Sequence, residues 1–279
     1  FTNLIKGYEK YTQEELFKMG VNDSNIHVDF MIGTDDLDIF GIKDNKEITT
    51  LSDKAYWFEK CGVEYFYIMH FEKETLKVTK DEFINKVLKK INPKKVFCGK
   101  DYSFGVRGEG TPLYLSRFFP VYECDLLLQN NEKISSTLIR KYISDGPIEK
   151  ANEMLGRPYR LIGMVVEGNK VGRTISFPTA NLDLDGDYII PLDGVYAGYV
   201  TCMSQKYKCL ISVGKHPTIY GLEESIIEVN ILDFDRDIYG ITLYVDILHY
   251  IRGVIKFDNL DDLKAQIEKD RVFTKNVLQ

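Results

Sequence analysis

The feature that most constrains this chain is a change of texture near Gly156. Before it, apolar strand-like runs alternate with helical patterns; after it, short β runs are broken by glycine and proline. The strand candidates of the first part are HVDFMI (27–32), EYFYIM (64–69), KKVFCG (94–99) and PVYEC (120–124). Parallel strands need helical crossovers, so this alternation predicts a layered α/β domain with a mostly parallel sheet. The second part offers GMVVEG, GVYAGYVTCM, YKCLISVG, SIIEVNILDF and ITLYVDILHYI. Strands at that spacing predict a small antiparallel barrel. A chain of 279 residues exceeds one small core. The fold class expected is therefore α/β plus β, with an α/β domain over 1–155 and a β-barrel domain over 156–279.

Helical periodicity fills the gaps between the first strands. KDEFINKVLKKI sets Phe83, Val87, Leu88 and Ile91 on one stripe, and similar patterns run from Leu51 to Cys61, Ser135 to Ile143 and Ile148 to Leu155. A C-terminal helix is expected in FDNLDDLKAQIEKD, with Asp258 as N-cap, Asp261 in the first turn, and Leu260, Leu263 and Ile267 as the buried stripe.

Net charge is −6, which argues against a general surface for nucleic acid or anionic membrane, so a phosphate ligand must be held by a local device. Cys61, Cys98, Cys124, Cys202 and Cys209 show no C-x-x-C spacing and no disulfide framework, which fits a reducing cytoplasm. No apolar run approaches the roughly 20 residues that span a bilayer. Expected partners are small-molecule substrates, with no nucleic acid and no membrane; a homo-oligomer is left open. His27, His70, His216 and His249 are scattered and read as structural.

The second domain carries the denser chemistry. GNKVGRT is not a P-loop, since G-x-x-x-x-G-K-[ST] is unmatched and the context is β. Its glycine-flanked loop with Lys170 and Arg173 reads either as a hairpin turn with solvated basic residues or as a flap over phosphates. In PTAN, Pro178 withholds a ladder donor, and Thr179 and Asn181 share one face of an extended chain. A hydroxyl and a carboxamide oxygen suit Mg²⁺ that takes its remaining oxygens from water and a nucleotide. In SIIEVNILDF, Glu228 and Asn230 share the face opposite Ile227, Val229 and Ile231. Glu228 fits a general base for an attacking hydroxyl, or a solvent-facing strand residue.

GNKVGRTISFPTAN, PLDGVYA, SVGKHPTIYG, SIIEVNILDF and IRGVIKFDNLDDLKAQIEKD together resemble, in order and spacing, the riboflavin kinase module over residues 156–272. The resemblance implies a six-stranded flavokinase barrel that transfers the γ-phosphate of ATP to the riboflavin 5′-hydroxyl, giving FMN and ADP. It places Thr179 and Asn181 on the Mg²⁺ and nucleotide residues and Glu228 on the catalytic base. It sets Gly168, Lys170, Gly172 and Arg173 in the flap over the nucleotide, and Arg252, in the loop before the last helix, near the flavin. Two departures stand out: Ser176 replaces a frequent glycine, and Val254 and Ile255 replace charged or polar residues.

In the first domain, ISSTLIR sets Ser135, Ser136 and Thr137 at a helix start with Arg140 one turn in, a device that is either an N-cap or a phosphate anchor. With GKDYSFG and TTLSDKAYWFEKCGVEYFYIMHF it resembles the FMN adenylyltransferase domain of bacterial bifunctional FAD synthetases, which implies a Rossmann-like nucleotidyltransferase domain. That family opens with phenylalanine, aspartate, glycine, an apolar residue and H-x-G-H; here FTNLIKGY has Thr2 at the aspartate and Ile5 and Tyr8 at the histidines. Where the family has a phenylalanine, aspartate, proline, histidine, proline step, this chain reads FMIGTDDLDIF. Neither Ile5 nor Tyr8 can present a cationic donor to a transferring phosphate. The reading reached is a riboflavin kinase using ATP and Mg²⁺, with an adenylyltransferase-like domain of degenerate motif and impaired activity. The alternatives are a fully bifunctional enzyme that also makes FAD from FMN and ATP, and a non-catalytic flavin-binding regulatory protein.

Overall fold

The structure is a computed structural model that describes residues 29–34, 46–70, 74–129, 131–167, 177–217 and 223–278. FTNLIKGY, His27, most of FMIGTDDLDIF and the loop with Gly168, Lys170, Gly172, Arg173 and Ser176 lie outside the described residues, as do the side chains of His70 and His216. Two compact units are present: one takes β1 and Leu51–Ser135, the other Lys46–Thr50 with Ser136–Gln279.

In the first unit, β1 (Asp29–Thr34) pairs in parallel with β2 (Tyr65–His70), and α1 (Leu51–Lys60) lies between them in sequence. A second parallel pair joins β3 (Val96–Gly99) to β4 (Val121–Cys124). The strands thus fall where the alternation predicts, and among the described residues they form two separate parallel pairs. A short hairpin, β5 (Leu128–Gln129) and β6 (Glu132–Lys133), follows. The predicted helix over 80–91 starts as α2 (Lys80–Phe83), widens into a π-helical segment (Ile84–Leu88) and closes as α3 (Lys89–Ile91). Thr79 and Glu82 form a capping box at its start, each side chain satisfying the other's backbone amide. The π segment gives the helix a wider turn, so Phe83 and Ile84 take the fully buried positions while Val87 and Leu88 are only partly covered. Phe83 and Ile84 pack with Phe104, Phe119 and Leu115, the last from α4 (Pro112–Leu115), to make this unit's core.

The second unit is a closed barrel of β7 (Tyr159–Val166), β8 (Ala180–Leu184), β9 (Gly194–Cys202), β10 (Gln205–Pro217), β11 (Glu223–Ile231) and β12 (Thr242–Arg252). The order around it is β10-β11-β8-β7-β12-β9, with every neighbour antiparallel. Alternation puts Leu161, Val165, Val200, Ile211, Val213, Ile227, Val229, Val245 and Ile247 inside, each no more than 3% exposed. Gly198 sits where a Cβ would overlap the Asp246 carbonyl oxygen and come 2.7 Å from Ile211 Cδ1, so only glycine lets β9 approach β12 there. On the outer wall, Arg160 and Asp246 stand opposite each other on β7 and β12, where Arg160 Nε and Nη2, one guanidinium edge, donate to the two Asp246 carboxylate oxygens at 2.7 and 2.9 Å.

The barrel does not stand alone in its unit. α5 (Ser136–Asp145) and α6 (Ile148–Leu155) pack on each other, and α6 lies against β7 and β12. Asn152 locks that contact: its Nδ2 donates to the Ile247 carbonyl at 2.9 Å, and its Oδ1 accepts from the Tyr159 amide at 2.7 Å. A strap of residues 46–50 joins the same unit: the Glu47 amide donates to the Asp187 carbonyl at 2.7 Å, and the Glu47 carbonyl accepts from the Ile189 amide at 2.9 Å. The boundary at 155/156 expected from the change of texture therefore differs from the packing boundary at 135/136, because α5 and α6 bury Ile139, Ile143, Ile148 and Ala151 at no more than 1% exposure.

The C-terminal helix, α7 (Leu260–Val277), packs on β9 and β10. Its N-cap is Asn259, whose Oδ1 accepts from the Asp262 amide at 2.9 Å, and not the expected Asp258. Its expected apolar stripe is also corrected: Leu260 is 56% exposed, and the buried positions are Asp270 and Thr274. The reason is an ion pair. Arg252, the last residue of β12 and not a loop residue as expected, donates to both oxygens of Asp270.

Candidate active site on the barrel wall

The segment 177–181 enters the barrel as β8, and its pairing begins only at Ala180. Ala180 and Leu182 turn inward, so Thr179 and Asn181 face outward and are both partly exposed. On β11, Ile227 and Val229 turn inward, which sends Glu228 out. Register then brings these residues together: Glu228 stands directly opposite Asn181 on one side and Ser212 of β10 on the other. Cross-strand partners on one face hold their Cβ atoms about 4.5–5.5 Å apart. A carboxylate, a carboxamide and two hydroxyls thus share one patch of outer wall. The oxygens of Thr179 and Asn181 are hard neutral donors that fit Mg²⁺ shared with a nucleotide, and the Glu228 carboxylate beside them can accept a proton.

Two residues that sequence reasoning left without a role secure this patch. Asn230, 6% exposed, donates from Nδ2 to the Pro178 carbonyl at 2.7 Å. Its Oδ1 accepts from Arg271 Nη1 at 3.0 Å, and the Arg271 guanidinium lies 5.6 Å from the Phe177 ring centroid. Asn230 carried one legible signal, its place two residues beyond Glu228 on the same strand face; Arg271, 41 residues away, carried none.

The other expected site residues lie elsewhere or outside the described residues. Arg252 stands opposite Val195 at the end of β12; its Nε and Nη2 are engaged by Asp270, and its Nη1 donates to the Gly253 carbonyl at 3.0 Å. Ser136 and Thr137 open α5 directly after Ser135, at a helix start as predicted. Arg140, one turn in, donates from Nε to the Lys46 carbonyl of the strap at 3.3 Å.

Comparison with known proteins assigns both halves. The riboflavin kinase family matches residues 155–278, and the FAD synthetase family matches residues 38–138. A thermophilic metalloprotease (M29) family also matches residues 1–57, overlapping the FAD synthetase match from residue 38. A bifunctional riboflavin kinase/FMN adenylyltransferase of Listeria monocytogenes is 37% identical over 237 residues, covering 84% of this chain and 76% of its own. The protein of the same description from Bacillus subtilis is 33% identical over 94% of this chain and 83% of its own. Among solved structures, a chain described as a macrolide-efflux protein from Streptococcus pneumoniae is 34% identical, with a TM-score of 0.84 over 99% of this chain and 89% of its own. Among the described residues no helix is long and apolar enough to cross a membrane. With a nucleotidyltransferase-like first half, a six-stranded kinase barrel and relatives aligned across both, this chain belongs to the bifunctional riboflavin kinase/FMN adenylyltransferase family.

Proposed function

We propose that this chain phosphorylates riboflavin at the barrel wall and, with its first half, adenylylates the FMN so formed to give FAD. The observation that carries the kinase step is the register of Glu228 against Asn181, with Thr179 beside it on the same face. Glu228 accepts the proton of the riboflavin 5′-hydroxyl as that oxygen forms its bond to the γ-phosphorus. The bond from phosphorus to the β,γ-bridging oxygen breaks, and ADP leaves. Thr179 and Asn181 would hold Mg²⁺ together with the nucleotide phosphates, and the ion would offset their negative charge. Gly168, Lys170, Gly172 and Arg173 would close over the nucleotide. The adenylylation step rests on relatives described as bifunctional that align over both halves, with Ser135, Ser136, Thr137 and Arg140 at its phosphate end.

That support favours full bifunctionality over the impaired first half that Thr2, Ile5 and Tyr8 suggest; those three residues and the departure at FMIGTDDLDIF are what favours a kinase-only protein. Incubation with riboflavin, ATP and Mg²⁺, followed by chromatographic separation of the flavins, decides. FMN together with FAD is expected; FMN alone supports the kinase-only reading; unchanged riboflavin overturns both. In the same assay, Glu228→Gln is expected to retain riboflavin binding and lose about 10²- to 10⁴-fold in turnover, the range for a general base. Turnover within a few-fold of the parent would remove Glu228 from that role.

A further inference from the structure

The ladder between β8 and β11 stops at Val229↔Ala180, one step short of Thr179. Continued by one register step, the residue opposite Thr179 would be Asn230. In place of a backbone bond, Asn230 spends its side chain: Nδ2 reaches past Thr179 to the carbonyl of Pro178 at 2.7 Å. Proline brings no N–H, so that carbonyl is the backbone group by which this turn can be tied down. Asn230 in turn is held by Arg271 from α7, through Nη1 to Oδ1 at 3.0 Å. Arg271 is only 16% exposed at its side chain, and it is fixed from several directions. Phe177 lies under its guanidinium at 5.6 Å, Asp233 stands at 3.4 Å and Glu268 at 3.6 Å. A planar fork held by two carboxylates and a ring loses little freedom on binding a carboxamide, which is why arginine suits the position.

We infer that Arg271 and Asn230 are positioning residues for the kinase reaction: a clasp that sets Thr179 beside Asn181, so that affinity for Mg·ATP depends on the C-terminal helix. The inference rests on the reading of Thr179 and Asn181 as the nucleotide side of the site. A contact that orients one ligand group acts on the substrate at that group, whereas a merely structural role weakens both substrates together.

The test is kinetic and uses the full chain. Asn230→Asp keeps size and keeps the acceptor for Arg271, but sets a carboxylate oxygen against the Pro178 carbonyl where a donor stood. Loss of one hydrogen bond with added repulsion predicts a rise of about tenfold in the apparent KM for Mg·ATP. The KM for riboflavin is expected within about twofold of the parent, while the melting temperature falls by roughly 2–12 °C, the cost of losing the bond that the buried Asn230 side chain donates. Arg271→Gln, which leaves Asn230 in place without its anchor, should raise the same constant by about threefold, the low end for one hydrogen bond. An Asn230→Asp protein with unaltered Mg·ATP kinetics overturns the clasp, as does a parallel rise in both KM values. If Asn230→Asp does not fold, Arg271→Gln decides by the same criteria. A parent that forms no FMN overturns the kinase reading and the clasp with it, whereas an active parent with an unaffected variant overturns the clasp alone.

Discussion

Replacing Asp270 by alanine tests whether α7 is held to the barrel by one buried ion pair. Asp270 is 2% exposed and accepts from Arg252 Nε at 3.0 Å, from Arg252 Nη2 at 2.7 Å and from Gln266 Nε2 at 2.8 Å. The variant would leave a guanidinium whose side chain is 17% exposed without its carboxylate. Breaking one side of a buried pair costs about 3–5 kcal/mol, far above the 0–1 kcal/mol of an exposed pair. Lys133–Asp101, with side chains 45% and 59% exposed, is the exposed reference, and Asp101→Ala should shift stability by no more than that lower figure. For a unit of this size, each kcal/mol moves the melting temperature by about 2–4 °C, so Asp270→Ala should lower the barrel's transition by roughly 6–20 °C. The single tryptophan, Trp57, lies in the other unit, so its fluorescence does not report the barrel. Far-ultraviolet circular dichroism and residual kinase activity after heating do. Arg252→Met combined with Asp270→Leu should recover most of the loss, because neither charge is then stranded. A drop under about 1 kcal/mol for Asp270→Ala would refute the strut, since the exposed-pair range would then cover it. If Arg252 serves riboflavin instead, Arg252→Lys should raise the riboflavin KM without moving the transition.

Two further outcomes follow from burial. A chain cut to begin at Gly156 loses Ile139, Ile143, Ile148, the Asn152 bonds and the strap; at about 1.5–3 kcal/mol per buried aliphatic side chain, its transition should fall well below that of the parent barrel, or it should aggregate. An unchanged transition by circular dichroism would show that α5 and α6 are not needed. Thiol labelling followed by peptide mass spectrometry at pH 8 should mark Cys61 first. Burial pushes the Cys98 thiol up to about 11 and holds Cys209 well above its ordinary range, so both carry little thiolate there and should react fastest only after unfolding. Early labelling of Cys209 would contradict its place inside the barrel.

What could be read from residues alone was whatever repeats locally. Period-two alternation exposed the barrel strands and put Ile227, Val229 and Glu228 on their proper faces, because side-chain direction in a strand depends only on parity. The change of texture near Gly156 separated α/β from β, and the family resemblance supplied roles for Thr179, Asn181 and Glu228. Tertiary structure decided what no local period encodes. Asn181 meets Glu228 because β8 and β11 are neighbours in a closed barrel though two strands intervene in sequence, and only closure sets that register. The inner face of α7 escaped an apolar-stripe reading because its buried positions are an aspartate and a threonine, which burial favours only once Arg252 is brought to the aspartate. The strap at 46–50 and the clasp from Arg271 through Asn230 to Pro178 likewise join segments far apart in the chain. Such pairings gain their energy from three-dimensional proximity, and the residues that make them carry no mark of it in sequence.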